Sequence, residues 1–169
     1  MEAFNAEVKG LRNKCEVWCH TCWGSPAAQR VASKDQSYKD ALPYLDQLDV
    51  DVLTFEGAFN RGLDFEHVGK MISKDKKIAV GVISHRTLQV ERPEEIADLI
   101  RKALKHIEPE RLILSSDCGF VRQSMSRMHA FYKMVALTRG TNIVRKELGL
   151  EEAYIPATDR QLSMVPLSA

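Results

Sequence analysis

The sequence predicts an α/β fold in which parallel strands form one sheet and helices cover its outer side. Three observations carry this expectation. Four short β-rich runs, CEVWCH (15–20), VDVLTFE (50–56), KIAVGVISH (77–85) and RLILSSD (111–117), each precede a segment of helical character. Their ends, at positions 20, 56, 85 and 117, lie 36, 29 and 32 residues apart, the length of one βα unit. Strands and helices alternating in this order require right-handed crossovers and strand ends that all point one way.

The first run is followed by Tyr38, Leu42, Leu45 and Leu48 at helical spacing, with Pro43 either starting a helix there or kinking one. After the second run, Phe65, Val68 and Met71 predict a short helix before the lysine-rich loop SKDKK. The third run leads into PEEIADLIRKALKHI (93–107). There Ile96, Leu99, Ile100, Ala103, Leu104 and Ile107 form an apolar stripe one helix face wide. Pro93 suits the first turn, Glu94 and Glu95 complement the positive end of the helix dipole, and Lys102, Lys105 and His106 sit near the other end. The last unit is helical by composition from about 122 to 148, with Gly140 expected to break it and Gly149 to cap it. The segment ATDRQLSMVPLSA (157–169) is expected as an extended or loosely docked tail on a single domain of 1–169.

A chain of 169 residues with 44% hydrophobic content can bury a substantial core. Its 24 basic and 23 acidic residues are interspersed, so no electrostatic footprint for nucleic acid or a membrane surface is present. The opening MEAFNAEVKGLRNK has no apolar signal region, and no apolar run approaches the roughly 20 residues that span a bilayer. A cytoplasmic protein is expected. Its four cysteines then read as reduced thiols, catalytic groups or metal ligands rather than as a disulfide framework.

The stretch CHTCWG (19–24) poses the chemical question. In a strand, residues two apart share a face, so His20 and Cys22 project together while Cys19 turns away. A redox CxxC pair would open a helix, whereas Trp23, Gly24, Ser25 and Pro26 follow here, and a zinc knuckle would need a second close-spaced pair. Distant partners are indicated instead. Glu56 closes the second strand and Cys118 sits just past the fourth, so parallel strands deliver both to the rim that carries His20 and Cys22. Singly, a strand-end Glu is as readily a solvated rim residue, and a lone Cys ordinary packing. Together, one imidazole, two thiolates and one carboxylate suit tetrahedral zinc, because soft sulfur disfavours magnesium and calcium.

At these residues the sequence resembles the C-terminal catalytic barrel of cobalamin-independent methionine synthase and the related zinc-dependent thiol alkyltransferases. The HxC of His20 and Cys22, DVLTFE ending in Glu56, Gly81 and Val82 followed by EEI (94–96), and DCG (117–119) carry the resemblance. It implies the C-terminal (βα)4 half of a TIM-type (βα)8 barrel, with zinc on His20, Cys22, Glu56 and Cys118. It further implies that zinc holds a small-molecule thiol, homocysteine in the synthases, as a thiolate that takes a methyl group from a methyltetrahydrofolate donor. His85, in VISHRT, matches with a shift of one position the histidine proposed there as an acid-base group; Arg86 is the alternative residue to face the site. HTCWG and SHRTLQVE look closer to shorter relatives, including the epoxyalkane:coenzyme M transferases. A half-barrel leaves two sheet edges and an apolar inner face to cover, which implies a second chain or a second copy. A half-barrel whose zinc only ties strand ends together is the non-catalytic alternative.

Overall fold

A computed structural model describes residues 1–23, 37–120 and 125–158. Four strands, β1 (Trp18–His20), β2 (Val52–Phe55), β3 (Lys77–Ile83) and β4 (Leu112–Ser116), form one sheet. They pair in parallel in the order of the sequence, β1-β2-β3-β4. The expected α/β class and strand order are present. Each strand is shorter than its β-rich run, because the flanking residues turn into the loops of the rims.

Helix α1 (Glu2–Glu7) precedes the sheet, α2 (Leu42–Leu45) lies between β1 and β2, α3 (Phe65–Met71) between β2 and β3, α4 (Pro93–Leu104) between β3 and β4, and α5 (Arg127–Glu147) follows β4. The sequence reading did not anticipate α1, which buries none of its own residues. A polar side chain ties it down: the Asn5 amide donates to the Gln47 carbonyl at 3.0 Å and accepts from the Asp49 N–H at 2.9 Å. Pro43 sits in the first turn of α2, where its missing N–H has no partner to lose.

The core lies between the sheet and these helices. Leu53 and Phe55 of β2 and Ile78, Val80 and Val82 of β3 face Phe65 and Val68 of α3 and Ile96, Ile100 and Ala103 of α4. Burying side chains of this size stabilises by roughly 1.5–3 kcal/mol each. The opposite face of β3, with Ala79, Gly81 and Ile83, is buried as well, which is why its sequence reads as a continuous apolar run. At the other end of the sheet, Asp51 accepts from the Val17 N–H at 2.7 Å and from Arg12 at 2.9 Å, fixing the entry of β1 beside β2.

The expected break at Gly140 does not occur: α5 runs unbroken through it. Glycine is there because α4 and α5 touch. A Cβ at position 140 would stand 2.6 Å from Ile96 Cβ and 2.8 Å from the Pro93 carbonyl oxygen. Gly149 does cap the helix, with φ +70°. Its N–H donates to the Lys146 carbonyl at 3.1 Å, and that of Leu150 to the Arg145 carbonyl at 2.8 Å. The helix of 93–107 ends at Leu104, and Ile107 is buried in the turn beyond it. Residues 156–158 form a 3-10 turn, and the rest of the expected tail, 159–169, lies outside the described residues.

Both sheet edges are open among the described residues, since β1 and β4 each pair on one side only. On α5, Met128, Phe131 and Tyr132 are 65%, 52% and 49% exposed at helical spacing, an exposed apolar strip. No helix among the described residues is long and apolar enough to cross a membrane.

Replacing Gly140 by Ala is expected to force α4 and α5 apart and destabilise the fold by about 1–3 kcal/mol, read as a lowered denaturant midpoint at unchanged slope. A midpoint equal to that of the parent would show that the helices do not need this approach.

Candidate metal centre

The nominated side chains all leave the C-terminal ends of the strands, where parallel sheets present their loops. His20 ends β1, with Cys22 two residues beyond; Glu56 follows β2, His85 follows β3 and Cys118 follows β4.

Three of the four expected ligands meet. A ring nitrogen of His20 and the sulfurs of Cys22 and Cys118 lie within 4.8 Å of one another, the two Sγ atoms 3.5 Å apart. Two sulfurs bound to one tetrahedral zinc at about 2.3 Å would sit about 3.8 Å apart, so the donor set fits that ion. The contact also demands curvature. In a flat sheet, strands three places apart would stand about 14 Å from each other. Only a curled sheet, with both cysteines beyond their strands, lets the ends of β1 and β4 touch.

His20 is held from behind. Its Nδ1 lies 2.8 Å from the hydroxyl of Thr54, its partner in the β1–β2 register, which leaves Nε2 for a metal. The Thr54 hydroxyl also accepts from the Thr21 N–H at 3.1 Å, and the Thr21 hydroxyl donates to the Thr54 carbonyl. Cys19 turns the other way, onto the core, as strand alternation required, and burial pushes its thiol pKa up.

Glu56 lies outside this trio. It is buried, with Oε2 accepting from Arg86 at 2.9 Å and Oε1 from the Trp23 N–H at 3.1 Å. Its carboxylate belongs to a second group with His85 and Asp117, all within 4.8 Å of one another. The predicted ligands are thus divided between two clusters on the same rim. His85 and Arg86, offered as alternatives, both face this second cluster. Burial lowers the His85 pKa, with Glu56 pulling in the opposite direction. The Arg86 guanidinium stacks 3.9 Å over the Phe59 ring. His85 Nδ1, Arg86 Nε and Trp23 Nε1 are buried without a hydrogen-bond partner among the described residues.

Two supporting elements escaped the sequence reading. Asp117 Oδ1 accepts from the N–H groups of Gly57 and Ala58 at 2.8 and 2.9 Å, and Oδ2 from that of Phe59 at 2.9 Å. Its own N–H donates to the Ile83 carbonyl at 2.9 Å. Burial pushes its carboxyl pKa up to about 6, against the downward pull of the three donors. The seat exists because β3 carries Gly81, where a Cβ would stand 2.1 Å from Asp117 Oδ1. A lone glycine inside an apolar strand was the available signal of close approach. The second element is Lys133 of α5, fully buried, with Nζ 2.9 Å from each Glu91 oxygen. Glu91 Oε1 also accepts from the Ser84 N–H at 2.9 Å, anchoring the loop that carries His85 and Arg86.

With this geometry established, comparison with known proteins adds identity. Residues 2–139 match the family model described as the cobalamin-independent synthase, catalytic domain. A methionine synthase of Saccharolobus islandicus (strain Y.G.57.14 / Yellowstone #1) is 34% identical over 148 residues, 88% of this chain and 40% of the relative. One from Thermococcus kodakarensis is 32% identical over 151 residues, 89% of this chain and 40% of the relative. A solved B12-independent methionine synthase from Shewanella sp. W3-18-1, in complex with selenomethionine, superposes with a TM-score of 0.74 at 30% identity, over 87% of this chain and 43% of that one. The chain spans about two fifths of the length of these relatives, and its four βα units form part of a TIM barrel of the methionine synthase type.

Lys133→Met is expected to strand the buried Glu91 carboxylate and cost about 3–5 kcal/mol in urea unfolding, against less than about 1.5 kcal/mol for a Glu91→Gln, Lys133→Met pair. Equal losses would show that the ion pair does not hold the loop. Asp117→Asn, whose amide NH2 must face at least one of the three N–H donors, is expected to cost about 1–3 kcal/mol in the same measurement; an unchanged midpoint would remove Asp117 from this role.

Proposed function

The chain belongs to the cobalamin-independent methionine synthase family, and from that membership we propose that it carries the zinc-binding part of an enzyme that transfers a methyl or other alkyl group to a thiol. The reading is most like 5-methyltetrahydropteroyltriglutamate–homocysteine S-methyltransferase, with homocysteine as acceptor and methionine as product. One observation carries it: two cysteine sulfurs 3.5 Å apart with a histidine nitrogen alongside, on the rim where a barrel does its chemistry. The same donor set supports zinc over a hard cation, because thiolates favour zinc over magnesium and calcium.

In this proposal His20, Cys22 and Cys118 hold the ion, and Glu56 is the fourth ligand that the resemblance implies. Bound zinc would stabilise the thiolate form of a substrate thiol whose ordinary pKa is about 8.5. While Glu56 stays paired with Arg86, the other three protein ligands leave a position for that sulfur, the arrangement of a catalytic rather than a structural site. The chain's own residues then do the positioning. Thr54 fixes the His20 ring through Nδ1, and the Asp117 cradle fixes the backbone just after Glu56 and just before Cys118. His85, buried beside the Glu56 carboxylate whose charge favours the protonated ring, would take up a proton and, as imidazolium, hand it to the departing half of the alkyl donor.

The two open sheet edges and the apolar strip on α5 support completion of the barrel by further polypeptide, on a second chain or a second copy. The balanced charge and the lack of a spanning helix among the described residues fit action in the cytoplasm.

Protein purified without chelator is expected to contain about one zinc per chain, and Cys22→Ser or Cys118→Ser to lose most of it, by elemental analysis. Full zinc in Cys118→Ser would remove that ligand from the set. Adding homocysteine or a coenzyme M thiol is expected to place a third sulfur around the metal in zinc-edge absorption. An unchanged spectrum would favour a site that only ties strand ends together.

A further inference from the structure

We propose that Arg86 is a positioning residue that decides whether Glu56 is available to the metal set of His20, Cys22 and Cys118, an inference that rests on the zinc reading above. The Arg86 and Glu56 side chains are 7% and 1% exposed, and they meet at 2.9 Å. Both carboxylate oxygens are occupied, one by Arg86 and the other by the Trp23 N–H. The same carboxylate lies outside the 4.8 Å trio.

A carboxylate this deeply buried requires a compensating charge. Two are within reach of the rim: the Arg86 guanidinium and the metal. Glu56 therefore has two positions. Paired with Arg86, it leaves three protein ligands and an open fourth place for a thiol; turned to the metal, it closes the set, as in a structural site. The seat of Arg86 determines the balance, and that seat is built. The guanidinium stacks on the Phe59 ring at 3.9 Å, and the Phe59 N–H is itself held by Asp117 at 2.9 Å. The Asp117 cradle thereby also keeps Glu56 on its arginine.

The test is a double-mutant cycle on zinc affinity, measured by competition with a chromophoric chelator on the full chain. Glu56→Gln is expected to weaken zinc by less than about tenfold in the parent, and by more than about a hundredfold in an Arg86→Gln background, where Glu56 has become a ligand. Equal losses in the two backgrounds would overturn the proposal. In zinc-edge absorption, the third sulfur from added homocysteine should require at least about tenfold more thiol in Arg86→Gln than in the parent, because the thiol must displace Glu56. Arg86→Lys keeps the charge but loses the planar group that stacks on Phe59, and is expected to fall between the parent and the Gln variant in the cycle; a Lys variant indistinguishable from the Gln variant would assign the effect to packing and overturn the assignment. Should Arg86→Gln fail to fold, the parent arm decides, since a loss of tenfold or more on Glu56→Gln alone makes Glu56 a standing ligand. A parent chain that binds no zinc refutes the zinc reading itself, an outcome separate from failure of the cycle.

Discussion

The bonds around Asp117 join three strand ends. Its carboxylate accepts the N–H groups of Gly57, Ala58 and Phe59 beyond β2, its own N–H reaches Ile83 at the end of β3, and Cys118 follows it out of β4. Strands two places apart in a sheet stand nearly 10 Å from each other. A side chain as short as aspartate spans that gap only by lying over the strand between them, and Gly81 removes the one atom that would block it. The curl that brings β1 and β4 within sulfur contact is fixed at this crossing. Both clusters on the rim depend on it, because Glu56 lies on one side of the cradle and Cys118 on the other.

The rim is also where buried charge concentrates, and each charge is answered. Glu56 has Arg86, Glu91 has Lys133, and Asp117 has three backbone donors. An interior of low polarity makes an unanswered charge far more costly than a missing apolar contact. The ion pairs are therefore better understood as devices that fix one loop arrangement than as sources of stability. Lys133 reaches from α5 to Glu91, whose carboxylate holds the Ser84 N–H, so α5 governs the loop after β3.

Much of this was legible in the sequence. Strand polarity alone placed His20, Cys22 and Cys118 on one rim, and alternation within β1 separated Cys19 from them, because both follow from backbone periodicity. The four βα units and the α4 stripe were readable for the same reason. What was not readable depends on contacts between distant residues. Gly140 looks like a helix breaker locally, and only the approach of Ile96 explains it. Glu56 was placed on the correct rim, yet its pairing with Arg86 rather than with the sulfurs is a choice between neighbours that no spacing rule encodes. Asp117 was visible only as part of a motif, since its partners are backbone N–H groups about sixty positions away.

The sequential order of the strands has a consequence for assembly. Every neighbouring pair in the sheet joins consecutive βα units, so each pairing closes a loop of modest length and can form as soon as its two units exist. The sulfur contact is different: Cys22 and Cys118 are separated by 96 positions and stand at opposite ends of that order. It is a far longer closure than any strand pairing, and it can be made only after all the intervening strands have zipped together. Capture of a metal there would therefore mark the completion of folding rather than its beginning, and a chain stalled at any intermediate unit would offer the ion two donors where the finished one offers three.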